Sequence, residues 1–268
     1  MGALSIGPFA LSLERALGVL AIVTFAVVSG IVAKGRPELE KWEGGALVSG
    51  LVLGRLFYVA LHASTFLSRP LTVFYFWQGG FSPFGAVAGV LLFSLWRFRR
   101  APANLVPAIA VLGAAFLVWG LPTTVTSVVR SRGEPIMMPS FRLSTLDGGE
   151  VEMADYVGTP TVINFWATWC PPCRREMPML AAAARDTDGT SFVFVNQGEG
   201  TRVIEEYLVA ESITLPNVLL DREQRLGAYF GIRGLPTTVF FDSQGVLVDY
   251  YFGELAEAKL RDYLERLE

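Results

Sequence analysis

The sequence has very few of the side chains that bind metals or cross-link distant segments. Its 268 residues include two cysteines and one histidine, His62. Structural zinc sites take four ligands, mostly Cys and His, so we predict no metal site in this chain. We interpret His62 as a structural polar residue at a helix end. A framework of several disulfides is also excluded, because Cys170 and Cys173 are the only pair.

Charged residues are scarce, at 18% of the chain, and they are unevenly distributed. Residues 1–134 contain 11 Lys and Arg against 5 Asp and Glu, whereas residues 135–268 contain 11 against 20. The acidic half lacks a basic stripe, and the basic residues of the first half flank apolar segments. We therefore expect no nucleic-acid partner. The contrast predicts a membrane region followed by an acidic soluble domain.

Long uncharged segments fill the first half of the chain. Four segments are candidates for membrane helices: residues 16–33, 44–67 (apolar apart from Arg55 and His62), 81–96 and 103–129. The aromatic stretch 73–80 is expected to lie at the membrane interface or to re-enter. We predict four transmembrane helices, with the lipid bilayer as a partner. The alternative is a set of buried helices in a soluble protein.

The short loops between these segments predict an orientation. The first loop contains Lys34, Arg36 and Lys41, and the third contains three arginines, whereas the second contains only Arg69. Loops rich in Lys and Arg stay in the cytoplasm, so both termini are predicted to be extracytoplasmic. Residues 1–13 lack a basic start and a cleavage site, and no cleavable signal peptide is expected. The predicted location is the inner (cytoplasmic) cell membrane, with several passes.

Arg55 lies inside the second predicted membrane helix. Burying a charge in lipid is costly, so such a residue is by default a candidate functional residue. The alternative is that Arg55 pairs with backbone carbonyls and orients the helices. The sequence leaves both possibilities open.

The two cysteines lie in the run Trp169-Cys170-Pro171-Pro172-Cys173, directly after the β-branched and aromatic segment 161–166. A Cys-x-x-Cys pair that opens a helix after a buried strand is typical of a dithiol redox centre. The helix N-terminus would stabilise a thiolate, so Cys170 is the predicted nucleophile and Cys173 the resolving thiol. A purely structural disulfide would constrain little chain entropy in so short a loop. No cofactor is expected besides this disulfide.

Strands and helices alternate through residues 136–268 and end in a hairpin and a helix. This order predicts an α/β fold with a mixed sheet covered by helices. Pro122, Gly133 and Pro135 mark residues 122–135 as a linker. The predicted domains are therefore a transmembrane domain at 1–121, the linker, and a soluble domain at 136–268.

Residues 4–100 resemble the prolipoprotein diacylglyceryl transferase family. The resemblance is carried by Gly54-Arg55-Leu56-Phe57-Tyr58 and by Trp77-Gln78-Gly79-Gly80. That family transfers a diacylglyceryl group from a phospholipid to a lipoprotein cysteine. Where its catalytic histidine would fall, this chain has Phe84, and the family's later helices are absent. We expect this region to be non-catalytic, either a lipid-binding remnant or a plain anchor.

Residues 135–268 resemble the TlpA/ResA-like branch of the thioredoxin fold. The resemblance is carried by Asn164–Cys173 and by Gly234-Leu235-Pro236-Thr237-Thr238. It implies that Pro236 is a cis-proline facing the disulfide and that the backbone of Leu235 pairs with the substrate. It also implies that Trp169 lines the substrate surface.

Asn164 stands where thioredoxins carry a buried aspartate that assists proton transfer. An amide cannot perform that role. Glu176 and Glu199 are the candidates for it, and the alternative for each is a solvated surface charge.

The second resemblance implies an extracytoplasmic, membrane-anchored thiol–disulfide oxidoreductase that reduces protein disulfides, for example in cytochrome c maturation. Its partners would be protein thiols and disulfides. Residues 1–134 contain no cysteine, so we expect electrons to come from a separate membrane donor with its own cysteines. The alternatives are a non-redox scaffold with an inert thioredoxin-like module and a lipid-binding or lipoprotein-modifying membrane protein.

Overall fold

The computed structural model describes residues 3–6, 9–68, 70–75, 79–132 and 134–267. Arg69, Trp77, Gln78 and Gly133, which entered the predictions above, lie outside the described residues. The chain divides into two compact units. One is Leu11–Gly133, and the other contains Glu134–Glu268 together with Met1–Ala10.

The first unit is helical. In the chain it follows a two-stranded sheet made of β1 (Ala3–Ile6) and β2 (Phe9–Ser12). Its α-helices are α1 (Leu13–Val32), α2 (Pro37–Leu61), α3 (Ala63–Ser68), α4 (Pro83–Phe98) and α5 (Leu105–Arg132). Short 3-10 helices lie at Pro70–Phe74 and Pro102–Asn104.

Two stretches of this unit are long and apolar enough to cross a membrane, Pro37–Leu61 and Pro102–Thr126. Ala16–Val32 and Pro83–Phe98 are shorter apolar helices. Many of their large apolar side chains are exposed, as in Val27 and Ile31 of α1 and Leu51 of α2. Such exposure is expected where lipid, rather than water, surrounds a helix. The helical and apolar character of the region agrees with the sequence, and the number of membrane passes stays a prediction.

Helices α2 and α4 approach each other closely because glycines line their contact. A Cβ atom placed on Gly85 would lie 2.6 Å from the Cβ atom of Phe57 and 2.7 Å from the carbonyl oxygen of Leu53. Real Cβ atoms do not approach that closely, so a side chain at Gly85 would push the helices apart. Small residues at helix contacts are a common way to pack apolar helices, since they allow extensive backbone contact.

Helix α5 continues through Pro122, where the sequence indicated the start of a linker. The Thr123 hydroxyl lies 2.9 Å from the carbonyls of Trp119 and Gly120, and the Thr126 hydroxyl donates to the Pro122 carbonyl over 2.8 Å. Threonine hydroxyls commonly bond carbonyls of the preceding turn in this way within helices. The chain stays helical to Arg132, and the division into membrane domain, linker and soluble domain stays a prediction.

The second unit is a mixed α/β domain. Its strands are β3 (Arg142–Thr145), β4 (Glu150–Glu152), β5 (Thr161–Trp166), β6 (Ser191–Gln197), β7 (Val218–Asp221), β8 (Thr237–Phe241) and β9 (Leu247–Phe252). Its α-helices are α6 (Pro171–Asp186), α7 (Thr201–Ala210), α8 (Arg225–Tyr229) and α9 (Glu257–Leu264). A 3-10 helix lies at Met153–Tyr156.

The seven strands form one sheet in the order β4-β3-β7-β6-β5-β8-β9. Strands β5, β6 and β7 are parallel, because helices α6 and α7 connect them, while β3, β8 and β9 pair antiparallel to their neighbours. The predicted mixed sheet with helices is therefore confirmed. Strand β5, which leads to the cysteines, lies inside the sheet.

Apolar side chains cover both faces of this sheet, and β5 shows the alternation. Val162 and Trp166 pack into the cluster that contains both cysteines, whereas Ile163 and Phe165 pack into the cluster on the opposite face. Alternation with period two is what a strand imposes. Asn164 has the same parity as Val162 and Trp166, so its polar side chain belongs to the cysteine face.

Candidate active site

The two cysteines lie where β5 ends and α6 begins. β5 is buried along its whole length, and Ala167, Thr168 and Trp169 connect it to the helix. Cys170 is the N-cap residue of α6, with extended backbone angles (φ −89°, ψ 106°), and Pro171 takes the first helical position. Proline fits there, because the first helical N–H has no partner within the helix. The local sequence thus places Cys170 at a helix N-terminus.

Cys170 and Cys173 form a disulfide, with their Cα atoms 5.3 Å apart. The N–H of Cys173 lies 3.3 Å from Cys170 Sγ and donates to it. Cys170 is 3% exposed and Cys173 is fully buried. After reduction, the Cys170 sulfur would keep the N–H of Cys173 and the positive dipole end of α6, and both stabilise a thiolate; Pro171 and Pro172 carry no N–H to add to them. The geometry suits attack by Cys170 and resolution by Cys173.

Trp169 is 67% exposed although its neighbour Cys170 is buried. Trp166, three residues earlier, is fully buried and its ring lies 5.5 Å from that of Tyr207. The sequence interpretation of Trp166 as core agrees with this placement. A tryptophan left in solvent next to a reactive sulfur offers apolar area to a partner, and tryptophan is enriched at such contacts.

The Leu235–Pro236 peptide bond is cis, as the family resemblance implied. Thr237 of β8 pairs with Phe165 of β5, so Pro236 lies at the edge of the sheet where β5 leads into the cysteine turn. Leu235 packs against the apolar cluster that contains both cysteines. The structure therefore brings the proline loop and the cysteine pair to one end of the sheet, although 62 residues separate Cys173 from Leu235.

Glu176 lies on α6 one turn after Cys173 and is 2% exposed. Its Oε1 accepts a hydrogen bond from Asn164 Nδ2 (2.9 Å), and its Oε2 accepts one from the N–H of Leu255 (2.7 Å). Asn164 Nδ2 also lies 3.1 Å from the Thr238 hydroxyl. Burial raises the pKa of Glu176 to about 8 despite these two hydrogen bonds, so the protonated form prevails at neutral pH. The alternative of a solvated surface charge is wrong for Glu176.

Glu199 lies in the loop between β6 and α7. Its Oε2 accepts hydrogen bonds from the N–H of Thr168 and from Asn196 Nδ2, each over 2.7 Å, and its Oε1 accepts one from the Thr168 hydroxyl. The N–H of Glu199 donates to Asn196 Oδ1 over 3.2 Å. The carboxylate is therefore tied to the turn that precedes Cys170.

Thr168, Asn196 and Thr238 belong to this site but were not among the predicted residues. Asn196 lies three residues before Glu199, a spacing at which an Asn side chain often bonds nearby backbone. That spacing is a signal the sequence offered. Thr238 meets Asn164 across 74 residues, and nothing local in the sequence marks such a contact.

Arg55 lies on α2 in the helical unit. Its guanidinium donates to four backbone carbonyls, those of Thr72 (2.9 Å), Val73 (2.9 Å), Gly79 (2.7 Å) and Gly80 (2.8 Å). The aromatic rings of Phe66 and Phe81 lie 5.4 and 5.8 Å from the guanidinium carbon. Arg55 thus holds the 3-10 helix after α3 and the glycines before α4.

Two other residues of the helical unit bear on the predictions. Phe84, which the resemblance predicts to stand where the transferase family has its catalytic histidine, is 83% exposed near the start of α4. His62 directly follows α2, and its ring lies 4.2 Å from that of Tyr58. Among the described residues, no three His, Cys, Asp or Glu side chains are grouped so that they could hold a metal ion.

Two family models match the chain in adjacent regions. The AhpC/TSA family model matches residues 136–250, and the prolipoprotein diacylglyceryl transferase model matches residues 2–122. Both resemblances read from the sequence are therefore confirmed. Each match covers somewhat less than half of the chain.

Curated and solved relatives match the C-terminal half. The thiol-disulfide oxidoreductase ResA of Geobacillus thermodenitrificans is 34% identical over 132 residues, which cover 48% of this chain and 75% of that protein. The thiol:disulfide interchange protein DsbE of Pseudomonas fluorescens is 34% identical over 161 residues, covering 59% and 87%. The solved structure of MTB DsbF is 27% identical, with a TM-score of 0.46 and coverage of 48% and 96%.

The geometry and the relatives agree on the chemistry of this half. A close cysteine pair with one sulfur at a helix N-terminus is typical of thiol–disulfide exchange, and proteins named for that reaction share about a third of the aligned residues. Through its C-terminal half, the chain belongs to the ResA family of thiol-disulfide oxidoreductases.

Proposed function

We propose that this protein is a membrane-anchored, extracytoplasmic enzyme that reduces protein disulfides with the Cys170–Cys173 dithiol. The observation that carries the proposal is the position of Cys170 at the N-cap of α6, between the exposed Trp169 and the buried Cys173. Cys170 directly follows a tryptophan whose apolar side chain is exposed to a substrate, and Cys173 is fully buried.

The reaction begins with the dithiol form of the enzyme. The Cys170 thiolate attacks one sulfur of the substrate disulfide, forms a mixed disulfide and releases the other substrate sulfur as a thiolate, which takes up a proton. The Cys173 thiol then loses its proton and attacks Cys170 Sγ, which closes the enzyme disulfide and releases the second substrate thiol. Two electrons pass to the substrate, and the disulfide serves as the enzyme's own redox group, with no added cofactor.

Trp169, Leu235 and Pro236 form the proposed substrate contact. Trp169 supplies exposed apolar area, and Leu235 and Pro236 lie at the same end of the sheet as the cysteine turn. An extended substrate segment would pair with the Leu235 backbone and place its disulfide at Cys170. Backbone pairing with an extended peptide supplies affinity without requiring a particular sequence.

Glu176 is the proposed proton-handling group. It lies one helical turn from Cys173, is buried, and has its pKa raised by burial to about 8. With this pKa most Glu176 carboxyls are protonated at neutral pH, and the ionised fraction can accept a proton from the buried Cys173 thiol and return it later in the cycle. Asn164 and the Leu255 N–H orient the carboxyl.

The helical unit is proposed to be a multi-pass anchor that keeps both termini and the redox domain outside the cytoplasm. The Lys and Arg of the first and third loops support this orientation. The two long apolar helices support the membrane crossing itself. Arg55 then has a structural role, because its donors are occupied by backbone carbonyls. Electrons come from a separate membrane donor with its own cysteines, and the disulfides of cytochrome c precursors are candidate substrates.

Trapping of mixed disulfides tests the proposal. A Cys173→Ser variant lacks the resolving thiol, so Cys170 should remain linked to substrates and to the donor as adducts on non-reducing gels. The matched Cys170→Ser variant should form no adducts. If wild type is active while Cys173→Ser forms none, the assigned roles of the two cysteines are wrong.

Alkylation of thiols in intact cells tests the location. A membrane-impermeant maleimide should label reduced Cys170 of the full chain without lysis. Labelling only after lysis would place the redox domain in the cytoplasm and overturn the proposed orientation.

A further inference from the structure

The turn that carries Trp169 is held by a carboxylate from another loop. Thr168, directly before Trp169, donates both its N–H and its hydroxyl to Glu199. Neither bond depends on regular secondary structure, since Thr168 lies after the end of β5 and before α6. Glu199 therefore holds the turn together with one backbone hydrogen bond, from the N–H of Cys170 to the Ala167 carbonyl (3.2 Å).

The Glu199 carboxylate is itself fixed from the strand side. Asn196 is fully buried, pairs with Trp166 across β5 and β6, and donates to Glu199 Oε2. The N–H of Gly198 donates to the Asp221 carbonyl over 3.1 Å. Gly198 has φ +85°, and a Cβ atom there would lie 2.9 Å from Gln224 Nε2, so the loop requires glycine at this point. Glu199 is thus a rigid support.

Both oxygens of the Glu199 carboxylate take part in this support. Three donors converge on them, from Thr168 N, Thr168 Oγ1 and Asn196 Nδ2. The carboxylate thus links the strand side of the site, through Asn196, to the turn before Cys170, through Thr168.

We infer that Glu199 is a positioning residue that holds the Thr168–Trp169 turn in the shape in which Trp169 and Cys170 meet a protein substrate. Its effect passes through Thr168 to the two residues that follow. Small disulfides need only reach the Cys170 sulfur, whereas a polypeptide must also lie against Trp169. Loss of Glu199 is therefore expected to slow the reaction with polypeptides selectively. This inference rests on the proposed roles of Cys170 and Trp169.

Paired rate measurements on the full chain in detergent test the inference. The reduced protein is mixed either with a synthetic peptide closed by one disulfide or with the small disulfide 5,5′-dithiobis(2-nitrobenzoate). For Glu199→Ala we expect the peptide rate to fall about tenfold and the small-disulfide rate to change less than about twofold, because misplaced contacts penalise only the substrate that uses them. The pH profile of the small-disulfide rate should not move.

Two further variants and a control sharpen the test. Thr168→Val removes one of the three bonds and should lower the peptide rate about threefold. Glu199→Gln keeps the side chain's size and one acceptor, so it should fold and show an intermediate loss. Glu205→Ala removes an exposed carboxylate on the adjacent helix α7 and should leave both rates unchanged.

The outcomes separate this inference from the function on which it rests. Equal losses of both rates in Glu199→Ala and Glu199→Gln, together with a shifted pH profile, would show proton transfer by Glu199 and overturn the positioning role. Unchanged rates in both variants would overturn it as well. Wild type that reacts with neither disulfide would overturn the proposed function and this inference together.

Discussion

The two halves of the chain each match a protein family, but their key positions differ. In the C-terminal unit the cysteine pair, the exposed Trp169 and the loop of Pro236 meet at one end of the sheet. In the helical unit, exposed Phe84 is predicted to stand where the transferase family has its histidine, and the Arg55 guanidinium donates to backbone carbonyls. A family match over a range of residues therefore indicates ancestry and fold, whereas chemistry depends on which side chains stand at the site.

The largest expected effect comes from removing the nucleophile. Cys170→Ser should abolish reduction of the disulfide peptide, with a loss of at least about 1,000-fold, because every exchange step passes through this sulfur. Phe84→Ala should leave the rate unchanged, because Phe84 belongs to the proposed anchor. The measurement is the peptide reduction rate of the full chain in detergent.

A different outcome would break the comparison between the halves. A Phe84→Ala variant that folds but loses the reductase activity would show that the helical unit takes part in the redox reaction. Residual activity in Cys170→Ser would instead point to attack by Cys173.

A smaller effect, on stability, is expected at Arg55. Arg55→Ala removes four hydrogen bonds that the guanidinium donates to backbone carbonyls. The loss of these bonds should lower the free energy of unfolding of the helical unit by about 3–6 kcal/mol. Thermal unfolding of the full chain in detergent should begin earlier, while peptide reduction per folded molecule stays at the wild-type level. Arg55→Lys should recover only part of the loss, since lysine cannot reach four acceptors in one plane.

Arg100→Ala is the matched control, because Arg100 is exposed in the loop after α4. Its unfolding should match that of wild type. If Arg55→Ala also unfolds like wild type but loses reductase activity, then Arg55 has a functional role and the anchor is more than structural.

The smallest expected effect concerns Glu176 and pH. The pKa of Glu176 is raised from 4.5 to about 8 by burial, so its folded form holds a proton that the unfolded chain releases. The stability from this group is complete below about pH 4.5 and is lost as the pH rises to about 8. Between pH 6 and pH 9 the wild type should lose about 2–3 kcal/mol more stability than Glu176→Gln.

Thermal unfolding of both proteins at the two pH values measures this difference, and the comparison cancels groups that titrate equally in both. Equal pH dependence in the two proteins would mean that Glu176 keeps an ordinary pKa, and its proposed proton-handling role would then lose its support.

The sequence predicted the C-terminal fold well because its main signals are local. The β-branched and aromatic run at residues 161–166 predicted a strand and forms β5. The segment that begins with Pro171-Pro172 was predicted to be a helix and forms α6. Pro122 favoured the start of a linker because proline interrupts helices in general, whereas α5 continues through it to Arg132. Whether a proline ends a helix depends on its surroundings in the fold, which no pattern of apolar residues shows.

The candidate site was only partly predictable. Cys170, Cys173 and Pro236 stand in recognisable runs, and the structure brings those runs together. The different surroundings of Glu176 and Glu199 depend on contacts across 79 and 31 residues, with Leu255 and Thr168. The acceptors of Arg55 are backbone carbonyls, which every residue carries and no sequence distinguishes.

The full burial of Cys173 leaves the Cys170 sulfur, beside the exposed Trp169, as the proposed point of attack, and this has a consequence for kinetics. The single dithiol holds only one electron pair. Its reduction by the proposed donor and its oxidation by a substrate must both take place at the Cys170 sulfur. Donor and substrate therefore take turns at one face and cannot be bound there together. Steady-state rates should therefore follow ping-pong behaviour, with parallel double-reciprocal plots. At high concentration the donor should inhibit the half-reaction of the substrate, and the substrate that of the donor.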